Sequence, residues 1–314
     1  HRDRPRHRRQ LLTDAADWPA VTAEDVAAIL GRDVAALPVD LGSPRRTHVY
    51  VFDDVVVKFN QNDSLRVARE QAALQLLVGS GIRVPEFLAG GTLSYGRPWL
   101  VMTKLSGEHP PDALRAPHHI SVELASQLGA LVAQLHAGPT PPGFGTWTER
   151  NYTLFEENDM RIDGLTQMAV DARIVDDAEL RDVLALLQRT RAALESASTK
   201  PVLAHRDVQP RNVLVGDDGA LHALIDFDSS GGGDPTEDLR TVAFDWTTPG
   251  FAAYLNSYRD AGGLVDDGFA DRLVHFVLHW ALVAFAYLGN VVPSSVDDAR
   301  LAIRRVKAGE KPPI

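Results

Sequence analysis

The sequence predicts an α+β chain of two lobes, a small antiparallel sheet first and a larger, mainly helical lobe after it. Three observations predict it. Short β-branched runs crowd residues 36–60 and return at 84–103, with one stretch of strong helix formers between them. Beyond Leu105-Ser106-Gly107 the apolar residues recur at the helical period instead. Inside that helical half sits a single strand-rich island, residues 202–228.

Taken in order, residues 36–41, 48–52 and 55–60 read as strands, the last two joined by the two-residue turn Asp53-Asp54. Residues 64–77 place Leu65, Ala68, Ala72, Leu74 and Leu77 among strong helix formers, and Gly79-Ser80-Gly81 ends that helix. Extended structure resumes at 84–88 and 97–103 around a turn at Gly90-Gly91. Helices follow near 120–136, 163–172, 178–197, 251–258, 269–288 and 296–307. The lobes are therefore 11–104 and 105–314, preceded by a basic, disordered tail at 1–10.

With 314 residues, 45% of them hydrophobic and 24% charged, the chain can bury a full core without staples. It has no cysteine, which removes disulfides, thiolate nucleophiles and cysteine-based metal sites, and fits a cytoplasmic setting. The net charge is −10, yet the first ten residues hold five arginines and one aspartate. Between Gly145 and Arg300 there are 26 acidic and 13 basic side chains, a field that repels polyanions and favours cationic ligands. The uncharged stretch 273–296 has the length of a membrane span, but His275, His279, Gly289, Asn290 and Pro293 interrupt it, which predicts a buried helix. His275 and His279 share a helix face without a third ligand, so core histidines are expected there rather than a metal pair.

The island carries the chemistry. It reads His205-Arg206-Asp207-Val208-Gln209-Pro210-Arg211-Asn212, an apolar strand, the turn Gly216-Asp217-Asp218-Gly219, a second apolar strand, and Asp226-Phe227. His1-Arg2-Asp3 spells the same first triplet, but Arg8 stands where the asparagine belongs and no strand pair follows. The spacing at 205–227 resembles the protein-kinase-like superfamily, and within it the aminoglycoside phosphotransferase and choline kinase group. Phosphoryl transfer needs positioning and charge neutralisation more than covalent help, so a carboxylate orients the attacking hydroxyl while hard oxygen ligands hold Mg²⁺ against the phosphates. The resemblance implies a protein-kinase-like fold, Asp207 as catalytic base, Asn212 and Asp226 as Mg²⁺ ligands, and His205 as a buttress.

Other parts recur in the family's order. Lys58 ends the run Val55-Val56-Val57, and the resemblance pairs it with Glu70 to hold nucleotide phosphates. The loop 41–47 has one glycine where protein kinases carry three, and the resemblance implies that Ser43 in it binds the nucleotide; Val101-Met102-Thr103-Lys104-Leu105 resembles the family's hinge, implying backbone contacts from Thr103 and Leu105 to the base. Gly233-Asp234-Pro235-Thr236-Glu237-Asp238-Leu239 resembles a family motif whose last aspartate, here Asp238, braces the catalytic loop.

Two departures argue against a protein kinase. Gln209 stands where those enzymes carry a lysine for the γ-phosphate, and only eleven residues separate Asp226 from Asp238, too few for an activation segment. Asn212 argues against the macrolide branch, and Gly233-Asp234-Pro235 against choline kinases. The expectation is a Mg²⁺-dependent O-phosphotransferase that uses ATP or GTP on a small-molecule hydroxyl, foremost an antibiotic of aminoglycoside type. A metabolic kinase of an amino alcohol, sugar or homoserine-like compound is the alternative, and a nucleotide-binding pseudokinase the rival of another class. Partners are then the nucleotide and the acceptor, with no nucleic acid or membrane, and the chain a monomer. The acceptor is expected at 146–178 and around Asp245, Trp246 and Tyr254.

Overall fold

The β-branched run Val55-Val56-Val57 opens a strand, Val55–Asn60, that is buried at all but one position and pairs antiparallel on both sides, and the first sheet grows from it in the computed structural model. That model describes residues 18–42, 47–60, 64–110, 120–145, 152–197, 200–290 and 292–314. The basic tail 1–10 and Ser43 lie outside the described residues. The described residues fall into two units, one running to Val78 and resuming at Val84–Leu105, the other made of Gly79–Arg83 and Ser106–Ile314. Residues 79–83 join the second unit because the Leu224 amide donates to the Arg83 carbonyl and Ile82 reaches Gly138.

In the first unit, β1 (Thr47–Val51), β2 (Val55–Asn60), β3 (Phe87–Thr92) and β4 (Pro98–Thr103) form an antiparallel sheet in the order β1-β2-β4-β3. Two helices accompany it, α1 (Ala23–Leu30) and α2 (Ser64–Leu76). The sequence reading omits α1, although Thr22 and Asp25 form a reciprocal capping box and Gly31 closes it in the left-handed region. Its Val26 packs with Tyr50, Val57, Phe59 and Val101. Residues 36–41 are not a strand; only Asp40 bridges to Tyr50. Gly90 and Gly91 lie within β3 rather than in a turn, since a β-carbon on Gly91 would stand 2.9 Å from the Trp99 ring on β4. The chain turns instead at 93–96, where the Gly96 amide donates to Leu93.

The second unit holds α3 (Val122–Ala137), α4 (Leu154–Ala172), α5 (Asp177–Thr190), β5 (Val202–Ala204), β6 (Val213–Val215), β7 (Leu221–Leu224), β8 (Gly231–Gly233), α6 (Pro249–Asp260), α7 (Phe269–Ala286) and α8 (Ser294–Lys307). Helix α4 starts nine residues before the expected 163, because Thr153 and Glu156 cap it and the polar residues of its first turns are buried in ion pairs. Helix α7 is its centre. It alone among the described helices has the length and apolarity of a membrane span, and 89% of that stretch is buried inside the protein. It packs against α4, α5 and α8. Helices α3 and α6 meet over Gly129, where a β-carbon would stand 2.2 Å from the Tyr254 carbonyl oxygen, so only glycine allows that approach.

Candidate active site

The chain reverses twice to assemble the site of the second unit. Strands β6 and β7 form a hairpin with Val213 opposite Leu224, and the Ile225 amide donates to the Asn212 carbonyl at 2.9 Å. That pairing sets Ile225 opposite Asn212 and Asp226 one residue beyond it. Asp207 is reached from the other direction: the Asn212 Nδ2 donates both to the Asp207 carbonyl and to its Oδ2, each at 2.8 Å. With the amide nitrogen used on Asp207, the oxygen of Asn212 is the atom that remains for a ligand.

His205 ties the two strands' ends together. Its Nε2 bonds the Ile225 carbonyl at 3.0 Å, its Nδ1 accepts from the Asp207 amide at 3.3 Å, and its ring meets Phe227 edge-on at 4.6 Å. The Nε2–H tautomer satisfies both bonds at once. Flanking residues carry backbone strain, Arg206 at φ 69° and Asp226 at φ 68°, a conformation side chains with a β-carbon rarely adopt.

At Arg206 that strain is held by Asp238. Its carboxylate, 1% exposed, accepts from the His205 and Arg206 amides at 2.8 and 2.5 Å and pairs with His136 Nε2 at 3.1 Å. Burial pushes the Asp238 carboxyl up, but the hydrogen bond and charge of His136, with those of its other partners, hold it below the usual range. His136 Nδ1 bonds the Tyr258 hydroxyl at 2.8 Å, so α3 and α6 are both fastened to the loop. On the other flank Arg206 pairs with Glu157 at 3.0 Å and Glu237 at 3.2 Å; Arg161 reaches Glu237 at 2.6 Å, and Arg240 donates to the Arg206 carbonyl. Burial raises Glu237, yet Arg206, Arg161 and Arg240 together keep it ionised.

The Asp207 carboxylate faces three side-chain donors of its own loop. Gln209 Nε2 bonds Oδ1, Asn212 bonds Oδ2, and Arg211 pairs with Oδ2 at 3.2 Å. In the first unit Lys58 Nζ meets Glu70 Oε2 at 2.7 Å, both side chains buried. Thr103 closes β4, its amide on the Glu86 carbonyl and its hydroxyl accepting from the Glu86 amide; Leu105 follows at the unit's edge.

Of the residues the sequence singles out, then, Lys58 meets Glu70, and Asp207, Asn212, His205 and Asp238 form one bonded set to which Asp226 is joined through Ile225. Trp246 and Tyr254, expected near the acceptor, are buried, with the Tyr254 hydroxyl on the Asp238 carbonyl at 3.4 Å and Asp245 paired to Arg305. His275 bonds Asn158 and Thr190 inside the core. His136, Glu157 and Arg161 are not marked by any local pattern, because the partners that fasten them here, Asp238, Arg206 and Glu237, lie 102, 49 and 76 residues away. Within 146–178 a cavity of about 450 Å³ is lined by Ala169, Asp171, Arg173 and Asp177, but no residue of the catalytic loop borders it.

The donor set suits Mg²⁺, which takes hard oxygens and keeps waters and phosphate oxygens for the rest of its shell. Asn212 Oδ1 and the Asp226 carboxylate are such donors, and among the described residues no group of three or more His, Asp or Glu offers a closed protein cage.

Residues 43–273, well over half of the chain, match APH, the phosphotransferase enzyme family. The chain belongs to that family. No curated protein resembles its sequence closely enough to count as a match. This phosphotransferase shares its protein-kinase-like fold with a proposed fructosamine-3-kinase from Thermobifida fusca YX-ER1, at TM-score 0.63 and 23% identity over 90% of this chain and 98% of that one. A thermostable variant of aminoglycoside phosphotransferase APH(4)-Ia, in a ternary complex with ADP and hygromycin B, superposes at TM-score 0.65 with 18% identity over 91% and 96%. The GDP complex of aminoglycoside 2'-phosphotransferase-IIIa does so at 0.61 with 17% identity over 90% and 97%. At these identities the likeness shows the fold.

Proposed function

We propose that this phosphotransferase moves the γ-phosphoryl group of ATP or GTP, with Mg²⁺, to a hydroxyl of a small molecule. The observation that carries it is the fastening of Asp207, Asn212 and Asp226 into one set by His205, the β6–β7 hairpin and Asp238. Asp207 orients the acceptor hydroxyl and takes its proton, and 14% of its side chain is exposed to do so. Asn212 and Asp226 hold the metal, which neutralises phosphate charge when bound. Lys58, fixed by Glu70, serves the nucleotide phosphates, with Thr103 and Leu105 at the base. The nucleotides in the similar structures, ADP in one and GDP in another, support a purine nucleotide donor.

For the acceptor, the surplus of acidic side chains between Gly145 and Arg300 favours a cation, and so an antibiotic of the aminoglycoside type. The test is release of ADP or GDP with each donor across aminoglycosides, peptide and nucleoside antibiotics, amino alcohols, homoserine and sugars. Acceptor-dependent release that vanishes in Asp207→Ala is the expected result. Full turnover in that variant sinks the assignment of the base, and release with a neutral sugar but no cationic acceptor sinks the antibiotic reading.

A further inference from the structure

Arg211 has no part in the roles assigned so far, and it is not a solvated surface arginine. Its guanidinium pairs with Asp207 Oδ2 at 3.2 Å, across the i,i+4 spacing of the catalytic loop. It still has 29% of its side chain exposed, so an incoming group can reach it.

The loop from Asp207 to Asn212 contains no other cation. Protein kinases carry a γ-phosphate lysine at the position of Gln209; here Gln209 is neutral, 2% exposed, and bonded to Asp207 Oδ1. Arg211 is two residues further along, at the centre of the short turn Pro210–Asn212 that opens on a proline and leads straight into β6. Its position is therefore set by the same turn that sets Asn212. Nor is it needed to orient Asp207, since Gln209 already engages Oδ1 and Asn212 engages Oδ2 more closely.

Resting on the function proposed above, we infer that Arg211 is a catalytic residue of this enzyme, the cation that binds the transferring γ-phosphoryl group in place of the missing lysine. Without nucleotide it rests on Asp207. A triphosphate carries more charge than one carboxylate, so its terminal phosphoryl oxygens draw the guanidinium over and open the place it held on Oδ2, beside Asn212, to the acceptor hydroxyl. In the step itself the acceptor oxygen bonds to the γ phosphorus. The bond from that phosphorus to the β–γ bridging oxygen breaks, its electron pair leaving with the nucleoside diphosphate, and the acceptor proton passes to Asp207. Arg211 remains protonated throughout and neutralises charge on the transferring oxygens, a role worth about 10³- to 10⁵-fold in rate where such an arginine acts on phosphoryl transfer.

The test is Arg211→Gln and Arg211→Lys, with circular dichroism as the check that each folds, read by two measurements. The first is calorimetric affinity for AMP-PNP against ADP, and for the guanine pair, with Mg²⁺ and no acceptor. The glutamine variant is expected to lose the preference of the wild type for the triphosphate analogue while binding the diphosphate as before, and lysine to recover part of it. The second is kcat with the acceptor found for the wild type, expected to fall at least about 100-fold in Arg211→Gln. An unchanged triphosphate preference overturns the inference, even if kcat falls, because Arg211 would then act only on Asp207. Unchanged kcat overturns it as well. If the wild type turns over no acceptor, the function fails while the affinity comparison still judges Arg211.

Discussion

Removing the Asp238 carboxylate takes one acceptor away from three buried donors, the amides of His205 and Arg206 and the Nε2 of His136. Each buried donor left without a partner costs about 1–3 kcal/mol. The same change alters a charge balance, for Glu157, Glu237 and Asp238 stand among Arg161, Arg206 and Arg240, and the site keeps one uncompensated positive charge. Relaxation of Arg206 from φ 69° returns about 1–2 kcal/mol, and the expected net loss for Asp238→Ala is the roughly 3–5 kcal/mol that follows when one partner of a buried charge network is removed. That is a large share of the 5–15 kcal/mol, roughly, that keeps a domain folded. Asp238→Asn retains the shape and one acceptor oxygen, and should lose about 2 kcal/mol. Urea unfolding measures both, and amide hydrogen exchange at His205 and Arg206 locates the effect, with protection at those two amides expected to drop at least about tenfold in the asparagine variant. If Asp238→Asn unfolds within about 0.5 kcal/mol of the wild type and those amides exchange as before, Asp238 does not hold the strained loop.

Two further outcomes follow from buried groups. Glu70→Gln leaves Lys58 buried without its carboxylate; we expect a loss of about 2 kcal/mol in stability and at least tenfold weaker nucleotide binding, and titration with a fluorescent nucleotide that shows unchanged affinity refutes the pair's role. His275 is pushed down to about 4 by burial and then by Arg191, against an ordinary 6.5. The unfolded chain therefore takes up a proton as pH falls below about 6.5 while the folded one does not until about 4, so stability declines across that window by roughly 3 kcal/mol. His275→Gln should flatten the decline in melting temperature between those values, and an identical slope excludes His275 as its source.

Much of this was legible along the chain, for reasons that are local. The hairpin around Asp53-Asp54 and the one from Val213 to Leu224 need only β-branched runs and turn residues, and both form where the pattern puts them. Asp207, Asn212 and Asp226 stand out because one loop and one short hairpin fix their spacing, so a sequence interval stands in for a distance. Where local signals compete the pattern misleads: Gly90-Gly91 reads as a turn, but in the folded sheet the two glycines make room for Trp99.

By itself, then, the sequence determined the two-part α+β organisation, the family, and the loop and hairpin that carry the chemistry. Tertiary structure alone decided what holds them. His136 reaches Asp238 from 102 positions away and Arg161 reaches Glu237 from 76, contacts that arise only when helices pack and that no spacing records. It also decided that Arg211 meets Asp207 while keeping part of its side chain open, since whether a loop cation finds a partner depends on how the turn beneath it is held. Periodicity and turn chemistry act over a few residues, whereas burial of charge is settled by the whole core around it.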